Sequence, residues 1–160
     1  MNILNRASDM IDKICRHIIS YLMLLISIVL FIQVVARFVF STGTFWTDEL
    51  ARFSLVWLVF LGAAVAIRDR SLINVDILEN LFPSWTKFLK FFQVIASLIF
   101  CILLFKVGWE TMGLVTAQRS PNMGVPMSVV YASIPIAMLI ILFHLFTQFF
   151  RRKDKGGEAE

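Results

Sequence analysis

The residues of this chain that could do chemistry are few, and most stand at the edges of long apolar runs. Toward one side lie Arg37 with Gln33 one turn before it, then Asp48, Glu49 and Arg52, then Lys106 with Glu110. Ionisable groups in or beside a membrane span are functional candidates by default, because charge is costly to place in hydrocarbon. Asp48 and Arg52 are four residues apart with the acid first, the favourable order for a helical ion pair. Two readings of this cluster stand side by side. It is a structural ion-pair network with snorkelling side chains, or it is also a contact surface for another subunit. Arg37, Asp48, Glu49 and Arg52 come to similar depth, so they are expected to hold the first two spans in register and to present a polar rim. A proton or ion relay would need an acid in mid-span, and none lies there.

Other chemistry finds little support. His17 and His144 suggest a bis-histidine haem, but both are explained as interfacial polar residues. Cys15 and Cys101 have no metal-ligand spacing and read as small packing residues. No nucleophile or metal cluster is legible, so the expectation is no catalytic residue, no metal and no cofactor.

The elements that must position these groups follow from composition. The chain has 160 residues, 59% hydrophobic and 16% charged, with a mean hydropathy of +0.81. An ordinary soluble domain is about 45–50% apolar and about 25% charged. A soluble protein this small has no interior large enough for so much apolar surface, so lipid must cover part of it. The net charge of +4 comes from basic residues flanking apolar runs, which excludes a nucleic-acid footprint.

The pattern predicts an all-α membrane protein of four transmembrane helices. Ile18 to Ala36 carries no charge, and its 19 residues make about 28 Å of helix, nearly a hydrocarbon thickness. It is too long for a signal peptide's apolar core and reads as a retained helix. The spans are expected at about 18–40, 50–67, 90–115 and 126–150, one membrane domain over 1–150, with a polar cytoplasmic tail over 151–160. Thr47 is placed to cap the second span. Pro135 should interrupt the fourth, freeing the carbonyl of Tyr131. Between spans two and three, Ile77, Leu78, Leu81, Phe82 and Trp85 recur at helical spacing opposite Asp76, Glu79 and Asn80. That predicts an amphipathic interfacial helix over about 73–86.

Trp46, Trp85 and Trp109 fall at span boundaries, as interfacial anchors do. Gly62, Ala63 and Ala66 give span two a small-residue face for close helix approach. Lysine and arginine distribution sets the orientation. Arg6, Lys13, Arg16, Arg68, Arg70, Lys87, Lys90, Arg151, Arg152, Lys153 and Lys155 fall on one side, leaving only Arg37, Arg52, Lys106 and Arg119 on the other. Both termini are therefore expected in the cytoplasm.

A transporter acting alone would place substrate between internal repeats with paired broken helices. Only span four has an interruption, and no repeat is visible, so an accessory or scaffold role remains. Here specific segments resemble a family. Trp46-Thr47-Asp48-Glu49-Leu50-Ala51-Arg52 with Val56 to Ala64, Asn74-Val75-Asp76-Ile77-Leu78, and Gly124-Val125-Pro126-Met127-Ser128 with Tyr131 and Ile134-Pro135-Ile136 are similar to the small, DctQ-like membrane subunit of tripartite ATP-independent periplasmic (TRAP) transporters. The resemblance covers about 37–137. One departure is Leu72, where the family often has histidine.

The resemblance implies a heterodimer with a large membrane subunit that holds the sodium and substrate sites and works as an elevator. A soluble periplasmic binding protein would deliver an organic acid such as a C4-dicarboxylate or a sialic acid. The small subunit would be a static scaffold in the bacterial inner membrane, a sodium symporter component and not an enzyme. The alternative is a stand-alone four-span protein, either a redox subunit or a small exporter.

Overall fold

The computed structural model describes residues 2–41, 45–69 and 86–156, with side chains placed over 6–41, 45–69 and 92–147. The expected interfacial helix over 73–86, apart from Thr86, and the anchor Trp85 lie outside the described residues. The chain is helical: α1 (Asn2–Phe38), α2 (Phe45–Arg68), α3 (Thr86–Leu114), α4 (Met127–Tyr131) and α5 (Ser133–Gly156). Four stretches are long and apolar enough to cross a membrane, the fourth made by α4 and α5 together over Met127–Thr147.

Helix α1 begins well before its apolar run. Its 37 residues extend about 55 Å at ~1.5 Å per residue, against a hydrocarbon core of ~30 Å. Its first turns therefore project past the hydrocarbon and carry Ser8, Asp9, Asp12 and Arg16. Helix α2 begins at Phe45, so Thr47 lies inside it, fully buried, and is not its cap. The fourth span breaks at Ala132, one turn before Pro135. Proline has no N–H to return to the carbonyl of Tyr131, which is where the sequence placed an interruption.

Packing runs from α1 to α2, from α2 to α5 and from α5 to α3. Two apolar clusters hold it. Ala64, Cys101, Ala137, Met138, Ile141 and Leu145 join α2, α3 and α5, while Cys15, Leu61 and Val65 join α1 to α2. Helices α2 and α5 are thus central and α1 and α3 flank them. In the apolar stretch of the fourth span 44% of residues are buried inside the protein, against 6% in the first. Most of the apolar surface of α1 is turned outward, as a lipid-facing helix requires.

The close approach expected at Gly62 occurs elsewhere. A methyl at Gly62 would meet nothing within 4 Å, and Ala63 and Ala66 are only half-buried, whereas Ala64 is fully buried. The tight contact is at Gly108 on α3. A Cβ there would stand 2.8 Å from Ile134 Cγ2 and 3.1 Å from Pro135 Cδ. Small residues matter where the opposing surface cannot yield, and a proline ring yields least. Gly108→Leu is accordingly expected to destabilise the bundle by about 1–3 kcal/mol through overpacking. Gly62→Ala should be neutral or stabilising by up to ~1 kcal/mol, because alanine is the better helix former. Thermal unfolding of the detergent-purified variants reads both; a Gly108→Leu protein that melts with the wild type would refute the packing account.

Candidate functional site

Two polar centres occupy opposite ends of the helix assembly. The first is built on the start of α2. Glu49 lies one position past Asp48, and the α-helical turn points the two carboxylates in different directions. Asp48 turns out and accepts a 2.9 Å bond from Arg52 Nη2, with both side chains more than half exposed. Glu49 turns inward, is 8% exposed, and meets the connection between α3 and α4. One carboxylate oxygen accepts from Ser120 Oγ at 2.8 Å and from the Met123 N–H at 3.0 Å. The other accepts from Asn122 Nδ2 at 2.8 Å and from the Asn122 N–H at 3.1 Å. Four donors converge on one carboxylate.

The connection is shaped to present those donors. The Met127 N–H donates to the Gln118 carbonyl and the Ser120 N–H to the Val125 carbonyl, each at 2.9 Å. These two bonds draw 118–127 into a narrow loop with a bridge between Arg119 and Pro126. Gly124 closes it at φ +68°, a left-handed conformation that glycine adopts without strain. The Arg119 guanidinium also donates to the Gly124 carbonyl at 3.2 Å. The backbone N–H groups of Asn122 and Met123 are thereby left facing Glu49. A carboxylate is the acceptor that suits several N–H groups best, since charge-assisted bonds are roughly twice as strong as neutral ones.

The second centre joins the opposite ends of α1, α2 and α5. Asp12, almost wholly buried, accepts from Arg16 Nε at 2.9 Å and pairs with Arg68. Arg68 also pairs with Asp9. Arg16 Nη2 stands 2.6 Å from both carboxylate oxygens of Asp69. Beside them the Ser8 hydroxyl is 2.9 Å from His144 Nδ1, with the imidazole 1% exposed. Opposite charges alternate along this chain of groups, so each buried charge meets an opposite one.

The expected residues divide as follows. Asp48 and Arg52 form a solvated pair within α2, and Lys106 and Glu110 approach to 4.0 Å with both side chains exposed. Arg37 is exposed at the end of α1 and is not among the ion pairs of the described residues. Arg37, Asp48, Glu49 and Arg52 therefore do not converge to bind α1 to α2, because Glu49 is committed to the 118–127 loop. Trp46 and Trp109 are 45% and 58% exposed. His17 is exposed and donates to the Lys13 carbonyl, whereas His144 is a buried partner of Ser8 rather than an interfacial residue.

The centre at the end of α2 escapes a reading of the sequence because orientation rules weigh only lysine and arginine, which makes Arg16 and Arg68 look like membrane flanks. A signal was present: Asp9, Asp12 and Arg16 follow at helical spacing, and Arg68-Asp69 ends α2. For the centre at the start of α2 the signal is subtler. Two of the separated segments that carry the family resemblance, around Glu49 and around Gly124, turn out to be neighbours in space.

Comparison with known proteins gives the same direction. Residues 26–154 match the model of the family described as tripartite ATP-independent periplasmic transporters, DctQ component. A Haemophilus influenzae protein described as a TRAP transporter small permease is 30% identical over 139 residues, covering 86% of each chain. The C4-dicarboxylate TRAP transporter small permease protein DctQ of Vibrio cholerae is 24% identical over 98% of this chain and 81% of its own. The sialic acid TRAP transporter permease protein SiaT of Haemophilus influenzae is 29% identical over 72% of this chain, yet the match is only 19% of that longer polypeptide. With four membrane-crossing helices and a family match over most of its length, this multi-pass membrane protein belongs to the DctQ component family of tripartite ATP-independent periplasmic transporters.

Proposed function

We propose that the chain is the small permease subunit of a sodium-coupled uptake system for an organic acid, and that it serves as the static scaffold of that system. The family match over 26–154 carries the reading. The relatives named for a sialic acid and for a C4-dicarboxylate put the substrate class at small organic anions. SiaT, in which a stretch like this chain is a minor part of a long permease polypeptide, supports a large membrane subunit as heterodimer partner. A soluble binding protein completes the assembly on the outer side.

The physical argument for a scaffold is one of drag and rigidity. In an elevator mechanism one part must stay still while another crosses the bilayer. Helices α1 and α3 spread apolar surface to either side of the α2–α5 core, which widens the still part. Charge and substrate chemistry reside in the partners under this reading, and the chain itself catalyses nothing.

The test is uptake in proteoliposomes. This chain alone should give no sodium-driven accumulation of a C4-dicarboxylate or a sialic acid, and the large subunit with its binding protein should need this chain for uptake. Uptake by the chain alone would overturn the scaffold reading in favour of a small exporter-like protein, and a haem spectrum in the pure chain would favour a redox subunit.

The orientation proposed is both termini in the cytoplasm, in the bacterial inner membrane. The native Cys15 and Cys101 are each 3% exposed, so background labelling by an impermeant maleimide should be low. Ala117→Cys should label from outside intact cells, and Gly156→Cys only after the membrane is opened. The reverse pattern would invert the topology.

A further inference from the structure

Lys106 and Glu110 stand on the side of α3 that faces away from the assembly. Gly108 marks the packed side, since a Cβ there would meet Ile134 and Pro135 of α5. Lys106 and Glu110 are two residues before and after it, and at ~100° per residue both point nearly opposite to α5. Their side chains are 73% and 61% exposed. The 4.0 Å between Lys106 Nζ and the Glu110 carboxylate is beyond hydrogen-bond length. The ammonium donors and the carboxylate acceptors are therefore not closed on each other.

Depth separates this pair from the exposed pair on α2. Lys106 is eight residues from Leu114, where α3 ends, or ~12 Å at ~1.5 Å per residue. The packing of Gly108 gives a similar depth independently, because Ile134 is seven residues inside the apolar stretch that begins at Met127. Arg52, by contrast, is three residues from Glu49, which meets the 118–127 connection at the end of the assembly. Charged groups inside a span are costly against lipid and face protein as a rule. The outward side of α1 shows the opposite pattern. It carries no charge over 18–36, and its exposed Ser20 and Ser27 donate to the carbonyls of Arg16 and Met23. Lipid covers such a side without leaving those hydroxyls unanswered.

Around the pair, Ile99, Leu103 and Val107 are each more than half exposed and continue the same side of α3 at i,i+3 and i,i+4 spacing. What covers this side must therefore be apolar over most of its contact, with an acceptor for Lys106 and a donor for Glu110 at one level. A membrane-crossing helix with a polar side chain at that level meets both demands. We propose that the large permease subunit docks here, through a transmembrane helix that sets a charged or hydrogen-bonding side chain against Lys106 and Glu110. This inference rests on the subunit role proposed above.

The full chain co-expressed with the large subunit tests it, in two arms. Photoactivatable benzoylphenylalanine in place of Leu103 should capture the large subunit, and the same probe in place of Ile28, an exposed position of α1, should capture lipid alone. In the second arm, Lys106→Leu/Glu110→Leu should lower the large subunit co-purified with this chain at least about fivefold, because the partner's polar group is then left unanswered in a closed contact. The melting point of that variant by itself should not fall, since neither side chain is bonded to another helix among the described residues. The capture arm keeps the native pair, so it decides independently of how the variant folds. Capture of lipid alone or of a second copy at Leu103 overturns the docking side, and so does an undiminished yield with the double variant. A wild-type chain that brings down no large subunit overturns the subunit role itself, which keeps the two failures distinct.

Discussion

Replacing Glu49 by leucine should release the 118–127 loop and expose it to protease, with cleavage between Arg119 and Gly124 accelerated at least about fivefold relative to wild type. The four donors that Glu49 accepts from would lose their common acceptor. The exposed Asn122 and Met123 groups can turn to water. The Ser120 hydroxyl, on a residue 4% exposed, is left to find another acceptor in a closed site. Loop opening, rather than global unfolding, is therefore the expected first consequence. Glu49→Gln provides the graded comparison: its amide oxygen can still accept from one pair of donors, while its NH2 faces the other pair. Its cleavage rate should fall between those of wild type and Glu49→Leu. Asp48→Asn, which breaks only the solvated pair with Arg52, should be indistinguishable from wild type. Equal cleavage of Glu49→Leu and wild type would show that the loop holds its shape without the clamp. If the proposed orientation holds and the loop meets the arriving binding protein, the Glu49→Leu complex should also lose uptake while still assembling.

Arg68→Ala should be the most damaging substitution for the stability of the helix assembly, at about 3–5 kcal/mol, because it strips a partner from a buried carboxylate. Asp12 is 5% exposed at its side chain and shared between Arg68 and Arg16. Arg16 is itself drawn toward Asp69, so it cannot substitute fully. At roughly 2–4 °C per kcal/mol for a chain of this size, the loss should appear as a melting point lower by about 10 °C. Neutralising both partners, as Asp12→Asn/Arg68→Gln, should cost less than Arg68→Ala alone, since no buried charge is then left uncompensated. A double variant that melts lower than Arg68→Ala would show that the ion pair itself, rather than the avoidance of a lone charge, supplies the stability. An Arg68→Ala protein with the wild-type melting point would show that water reaches Asp12 freely.

These two centres also mark where reading the chain in one dimension stops. The four spans, the lipid-covered surface and the break before Pro135 were legible because each depends on local properties: apolar run length against bilayer thickness, and a ring that lacks an N–H. The Asp48–Arg52 pair was legible for the same reason, since partners four residues apart on one helix are neighbours wherever that helix goes. Local spacing could not assign Glu49. Its carboxylate is next to Asp48 in sequence, yet its partner Asn122 is 73 positions away, and only the meeting of α2 with the α3–α4 connection brings them together. Ser8 and His144 are 136 positions apart, and the same limit applies.

The close contact was misplaced onto Gly62 because a small residue in a span signals only that approach is permitted. Whether a neighbour takes it up depends on which helix faces it, and at Gly108 that neighbour is Ile134 and Pro135. Sequence alone thus determined that the chain crosses a membrane four times and how its backbone satisfies itself while doing so, since lipid offers no other hydrogen-bond partner. The tertiary structure decided which polar groups are committed and which stay free, because that depends on which helices pack together.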